Sequence, residues 1–149
     1  MKQPDLQKHS FTLGHQIADI SKLEEVIKDL ETRWDVDDKS IFQLNLVLEE
    51  LISNTMFYGF KGRENGRIDV DLMFDGAYIY VDIYDDAAAF DPTGHDNDTT
   101  SHSLEERDVG GLGILLTQRI SEDLQYKHED GRNKLHFKIK TRRDEDGTS

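Results

Sequence analysis

The chain contains no cysteine, which excludes disulfides and thiolate metal sites and leaves no sign of an oxidising compartment. Long hydrophobic runs are missing too. No stretch approaches the ~20 apolar residues that span a bilayer, and Met1-Lys2-Gln3-Pro4-Asp5 lacks the apolar run of a secretory signal. These absences make the cytoplasm the expected location. Positive charge is scarce: 18 Lys and Arg stand against 31 Asp and Glu, a formal net charge of -13. Phosphate backbones and anionic membranes are bound by clustered Lys and Arg, so neither nucleic acid nor a membrane surface is an expected partner. A protein with a basic face, or a nucleotide neutralised by a metal ion, is compatible with this charge. What is present, 149 residues of which 36% are hydrophobic and 33% charged, suits one globular domain with a single substantial core.

The periodicity changes along the chain in a readable order. His9 to Leu13 alternates as a short opening strand. Ser21-Lys22-Leu23-Glu24 matches a capping box and predicts a helix to about Trp34, with Ile20, Leu23, Ile27 and Leu30 as its apolar stripe. A second helix starts within Asp35 to Asp38, carries Ile41, Leu44, Leu48, Leu51 and Thr55 at helical spacing, and has Gly59 as its natural stop. Gly66 to Phe74 and Ala77 to Tyr84 alternate as two strands of a hairpin around Asp75-Gly76. Phe90 to Val109 is polar and aperiodic, the length and composition of a lid or binding loop. Ile114, Leu115 and Ile120 then mark a third helix, and strands near Leu124 to His128 and Lys134 to Lys140 flank a turn at Asp130-Gly131. Hairpins with helices to cover them predict an α+β two-layer sandwich, its sheet mixed but mostly antiparallel and covered by helices on one face. The whole reads as a single domain over 1–140, with 141–149 a frayed tail.

Three constellations could carry chemistry. Glu50 and Asn54, four apart, project from the same side of the second helix beside its apolar stripe. A carboxylate and a carboxamide so placed can hold a hydrated metal ion and orient a nucleophile; taken alone, an exposed acid and a polar residue near a helix end is the plainer account. Asp85-Asp86-Ala87-Ala88-Ala89-Phe90-Asp91-Pro92 follows a strand end, where a carboxylate can accept a hydrogen bond from an exocyclic amine such as that of adenine; two solvated acids in a turn is the alternative. Gly110-Gly111-Leu112-Gly113 opens a helix, so that backbone N–H groups can meet phosphate oxygens, although it lacks the Lys-Ser/Thr end of a P-loop and the spacing of a dinucleotide fingerprint. A flexible hinge is its plainer reading. His95 and His102, with Asp96 and Asp98, show no ligand pair of convincing spacing and read as solvated loop residues. His136 reads as surface, and Trp34, Tyr78, Tyr80 and Tyr84 as packing residues.

In this order, the set resembles the GHKL superfamily with its Bergerat ATP-binding fold: Glu50 to Asn54 looks like the N box, Asp85 to Pro92 like the G1 box, and Gly110 to Gly113 like the G2 box. Phe90-Asp91-Pro92 and Gly110-Gly111-Leu112-Gly113-Ile114 are similar to the anti-sigma-factor serine/threonine kinases of bacterial partner-switching systems. The resemblance implies an ATP- and Mg²⁺-dependent protein kinase. Glu50 would be the general base, Asn54 the Mg²⁺ ligand and Asp85 the acceptor of the adenine amino group. Ala87, Phe90, Gly110, Gly111, Leu112 and Gly113 would line the nucleotide, and Phe90 to Val109 would be its lid. The implied partners are a STAS-type anti-sigma antagonist carrying the acceptor serine or threonine, a sigma factor, and a second copy of the chain as a homodimer.

One departure stands out. The family's G1 box has Gly two residues after the adenine-binding Asp, where this chain has Ala87, followed by Ala88 and Ala89. A positive φ at 87 would strain an alanine by roughly 1 kcal/mol, and a methyl beneath adenine would crowd the ring. A non-catalytic interaction module that keeps the fold and loses nucleotide is therefore the rival expectation. The catalytic part of a sensor histidine kinase would need a second polypeptide with the phosphoacceptor His, and gyrase- or chaperone-like ATPases would need further domains.

Overall fold

The computed structural model describes residues 6–60, 65–87 and 114–141. Its strands are β1 (Gln7–Leu13), β2 (Ile68–Phe74), β3 (Tyr78–Asp85), β4 (Glu122–Glu129) and β5 (Arg132–Lys140). Helices α1 (Ile20–Arg33) and α2 (Asp38–Asn54) follow β1, and residues 114–120 form a helical segment, α3. The five strands make one sheet in the order β1-β2-β3-β5-β4. Every pairing among the described strands is antiparallel, so the mostly antiparallel expectation is met with no parallel pair among them.

The alternation read from the sequence decides which face is covered. Ile68, Val70, Leu72 and Phe74 of β2, Ile79, Val81 and Ile83 of β3, and Leu135, Phe137 and Ile139 of β5 are all buried on one face. The helical stripes Leu23, Ile27 and Leu30 of α1 and Ile41, Leu44, Val47, Leu48 and Leu51 of α2 join them in one core cluster. Burying a side chain of this size removes it from water at roughly 1.5–3 kcal/mol each. Trp34 stacks on Phe74 with ring centroids 5.6 Å apart, a packing role as expected.

The other face is polar. Asp69 holds it together at one end, accepting from Thr12 Oγ1 at 2.6 Å, Arg67 Nε at 3.0 Å and Arg132 Nη2 at 2.6 Å. Burial works against the Asp69 carboxylate, but these donors outweigh it and hold the group below the usual carboxylate range. Arg132 also lies over the Tyr84 ring and Lys138 over Tyr78, while His136 Nδ1 meets Asp82 at 2.7 Å. His136 is thus on the surface, with a cross-strand partner.

Local chemistry explains the turns. Asp75 closes the β2–β3 hairpin by accepting from the N–H of Ala77 and Tyr78, and Gly76 takes the positive φ of 95° that the turn requires. Asp130 and Gly131, at φ 56° and 74°, turn β4 into β5. α2 starts where Asp37 caps it, its carboxylate accepting from Ser40 N at 3.0 Å.

Two local expectations need correction. The Ser21–Glu24 capping box does not form. A 3₁₀ turn at Ile17–Asp19 starts the helix at Ile20, and the Ser21 hydroxyl bonds back to the Ala18 carbonyl at 2.9 Å. Gly59 does end the helical run, but without the positive φ of a C-cap glycine. α2 instead widens after Asn54 into a π-helix, Thr55–Gly59, in which Phe60 N donates to Thr55 O at 2.9 Å.

Candidate functional site

The inward positions of β3 run Ile79, Val81, Ile83, Asp85, and those of β5 run Asn133, Leu135, Phe137, Ile139. At one end of the sheet, therefore, a carboxylate and a carboxamide replace the apolar side chains of the covered face. They are direct cross-strand partners. Asp85 is only 8% exposed and Asn133 only 7%, so both must be hydrogen-bonded to be tolerated there.

They are. Asp85 Oδ1 accepts from the backbone N–H of Ala87 at 2.9 Å and from Asn133 Nδ2 at 2.8 Å. The same Nδ2 reaches the Ala87 carbonyl at 3.2 Å, and Asn133 Oδ1 accepts from the Tyr126 hydroxyl. Asp85 Oδ1 is thereby occupied, while Oδ2 has no partner among the described residues. Burial pushes the Asp85 carboxyl above its ordinary range, with the Asn133 and Ala87 donors pulling the other way. Next to it, Asp86 Oδ1 accepts from Arg67 N at 3.0 Å and ties the turn to the start of β2.

Glu50 and Asn54 are half-buried on α2, beside fully buried Val47 and Leu48, which is the helix edge expected of them. The π-helix that follows α2 reaches the turn after Asp85. A Cβ placed on Gly59 would stand 2.9 Å from the Ala87 Cβ, so the last residue of the π-helix lies directly against the turn after Asp85. A Cβ on Gly66 would likewise strike the buried Phe60 ring at 2.5 Å, which seats the chain just after the π-helix against the approach to β2. The chain that continues from α2 thus meets the turn after Asp85. Phe90 and Gly110 to Gly113, together with His95 and His102, lie outside the described residues; α3 follows that glycine run at 114–120, where a helix was expected.

The contact with Gly59 shows how the Ala87 methyl is accommodated. Among described residues the non-glycine positive φ values belong to Asp123 and Asp130, so Ala87 is unstrained. Its methyl is buried and faces Gly59. A glycine on the helix makes room for an alanine on the turn. Helix propensity alone would make Gly59→Ala stabilising by about 0.5–1 kcal/mol; the clash makes it destabilising by about 1–3 kcal/mol. Pairing it with Ala87→Gly should restore most of the loss, with a coupling of at least about 1 kcal/mol in a urea-denaturation cycle. Additive effects would contradict the contact.

Asn133 and Tyr126 were not singled out from the sequence. The available signal was a carboxamide at an inward position of an otherwise apolar alternation, the same signal that Asp85 gives. A groove of about 460 Å³, lined by Ser10, Phe11, Thr12, Asp69, Asp71, Tyr84 and Arg132, lies on the uncovered face of the sheet. Its polar groups already hold one another, and it is separate from the covered end of the sheet where Asp85 sits. Among the described residues no cluster of His and acidic side chains forms a metal centre, and no helix is long and apolar enough to cross a membrane.

A model of the histidine kinase-like ATPase domain matches residues 15–139. The chain is similar to serine-protein kinase RsbW of Listeria monocytogenes serovar 1/2a, 25% identical over 97 residues, which is 62% of each chain. It is similar to serine/threonine-protein kinase BtrW of Bordetella bronchiseptica, 28% identical over 106 residues, 71% of this chain and 73% of that one. RsbW of Bacillus pumilus is 23% identical over 99 residues, 62% of this chain and 61% of that one. The chain spans about three fifths of the length of the two RsbW relatives it matches.

Proposed function

The chain belongs to the histidine kinase-like ATPase domain family, and on that premise we propose that it is a Mg-ATP-dependent protein serine/threonine kinase of the anti-sigma type. Its substrate in this reading is a serine or threonine on a small STAS-type antagonist in a partner-switching system. The observation that carries the reading is Asp85, a buried carboxylate with one oxygen fixed by protein donors and the other left for a ligand. Such an acceptor suits the exocyclic amine of adenine. The kinase names of the relatives support the direction of the chemistry.

Each residue then has a task. Asp85 Oδ2 accepts the adenine amino group. Asn54 would offer a hard oxygen donor to Mg²⁺ from the helix edge, and the ion would supply charge neutralisation for the transferred group. Glu50, one helical turn before Asn54, takes the proton of the incoming hydroxyl. Phe90 and the backbone of Gly110, Gly111, Leu112 and Gly113 complete the enclosure, with the loop between them as lid. Rate acceleration rests mainly on positioning and charge neutralisation. Cytoplasmic location, a homodimeric state and a sigma factor as a further partner belong to this reading through the resemblance alone.

Incubation of the chain with γ-labelled Mg-ATP and a STAS-type antagonist tests it. Label should appear on the antagonist and be absent when its acceptor serine is replaced by alanine. Tight binding of ATP without transfer to any antagonist would leave a nucleotide-binding module and remove the kinase assignment.

A further inference from the structure

The nucleotide reading gives Asp85 a role but leaves unexplained the buried carboxamide and hydroxyl behind it. The Asn133 amide bonds the Asp85 carboxylate and the Ala87 carbonyl, which are acceptors, and the Tyr126 hydroxyl. Only one amide orientation matches donors to acceptors, with Nδ2 toward Asp85 and Ala87 and Oδ1 toward Tyr126. Turning the amide over would set its oxygen against two other oxygens in a buried site. The two acceptors therefore set the amide, the Tyr126 hydroxyl braces it by donating to Oδ1, and Asn133 fixes which oxygen of Asp85 is taken and which faces the ligand.

We propose that Asn133, braced by Tyr126, is the positioning residue that makes this site select an adenine amino group over a guanine carbonyl. The inference rests on the adenine-binding role of Asp85 given above. An ionised carboxylate accepts hydrogen bonds only and can pair with an amine at the purine 6-position; a protonated one can donate to a carbonyl there. The Asn133 donor favours the accepting form of Asp85 against the pull of burial. Among the described residues, other groups also bear on Asp85. From its own turn comes Asp86, whose charge opposes ionisation, and from β5 comes Arg132, whose charge favours it. From β4 comes the Tyr126 hydroxyl, through Asn133, while β2 contributes the apolar Ile68 directly opposite. Two donors to Oδ1, from Asn133 and from Ala87 N, favour the accepting form.

The test measures affinities for Mg-ATP and Mg-GTP by calorimetry, on the full chain, from neutral pH down into the carboxylate range. Asn133→Ala should weaken ATP roughly tenfold, and Tyr126→Phe roughly threefold, the scale of one lost hydrogen bond to a charged group and of its bracing partner. GTP should lose less, so the ATP-to-GTP ratio falls in both variants. In both, ATP binding should also fail at a higher pH than in the wild type. Tyr126→Phe changes a single hydroxyl and keeps the comparison open where Asn133→Ala fails to fold. An unchanged ratio and an unchanged acid limb in a folded Tyr126→Phe, with wild-type ATP binding weakened by Asp85→Asn, would overturn the role of Asn133 and leave the adenine reading standing. Wild-type ATP binding that survives Asp85→Asn would overturn both.

Discussion

Asp85→Asn is expected to weaken nucleotide binding by one to two orders of magnitude and leave the protein as stable as before, or more so. The two effects have separate causes in the same carboxylate. An asparagine Oδ1 can still accept from Ala87 N and Asn133 Nδ2, the contacts that hold the turn. At the other position an amide donor replaces the acceptor, and it faces the amine of adenine donor to donor. The loss should be about 1.5–3 kcal/mol, or roughly 10- to 150-fold in affinity. Stability moves the other way. Burial raises the Asp85 pKa above its ordinary value, so the folded state holds this proton more tightly than the unfolded chain does. The stability contributed by that proton is complete below the unfolded pKa of about 4 and is lost as pH rises through the folded pKa. Once ionised, the buried group is a liability that asparagine lacks. Thermal melts should therefore place the variant at or above the wild type at pH 7, with the gap closing in acid. A variant that unfolds easily at neutral pH would mean that Asp85 is structural.

Glu50→Gln should separate binding from transfer. The substitution keeps size and hydrogen-bonding shape at a half-buried position on the edge of α2 and removes the ability to take a proton. Nucleotide affinity should stay within about threefold, while phosphoryl transfer falls roughly 10²- to 10⁴-fold, the usual contribution of a positioned general base. Quenched-flow measurement of single-turnover transfer reads the chemical step directly. Transfer at the wild-type rate would take Glu50 out of the base role and leave it a helix-edge acid.

The sequence made the elements visible wherever their signals are local. Alternation of Ile68, Val70 and Leu72 with acids gave β2 its inward face, and the Asp75-Gly76 and Asp130-Gly131 turns lie where two strands of each hairpin meet. Ser21-Lys22-Leu23-Glu24 misled because a matching pattern does not ensure a cap. The preceding Ile17–Asp19 turn had already begun the helix, with Asp19 Oδ2 accepting from Gln16 N. Gly59 stops the helical run as expected, but for a different reason. Its lack of a side chain answers to Ala87, 28 positions later in numbering and adjacent in space, and no local pattern encodes that distance. Within the site, the helical spacing of Glu50 and Asn54 was legible from period alone. The Tyr126–Asn133–Asp85 chain was not, because it links β4, β5 and β3 through a register that only pairing establishes.

Titration of the wild-type chain with Mg-ATP by isothermal calorimetry bears most directly on whether α2 and the end of β3 enclose a nucleotide. One nucleotide bound per chain, accompanied by a rise in melting temperature, is the result this account predicts. Neither heat nor a shift in melting at millimolar Mg-ATP would contradict it.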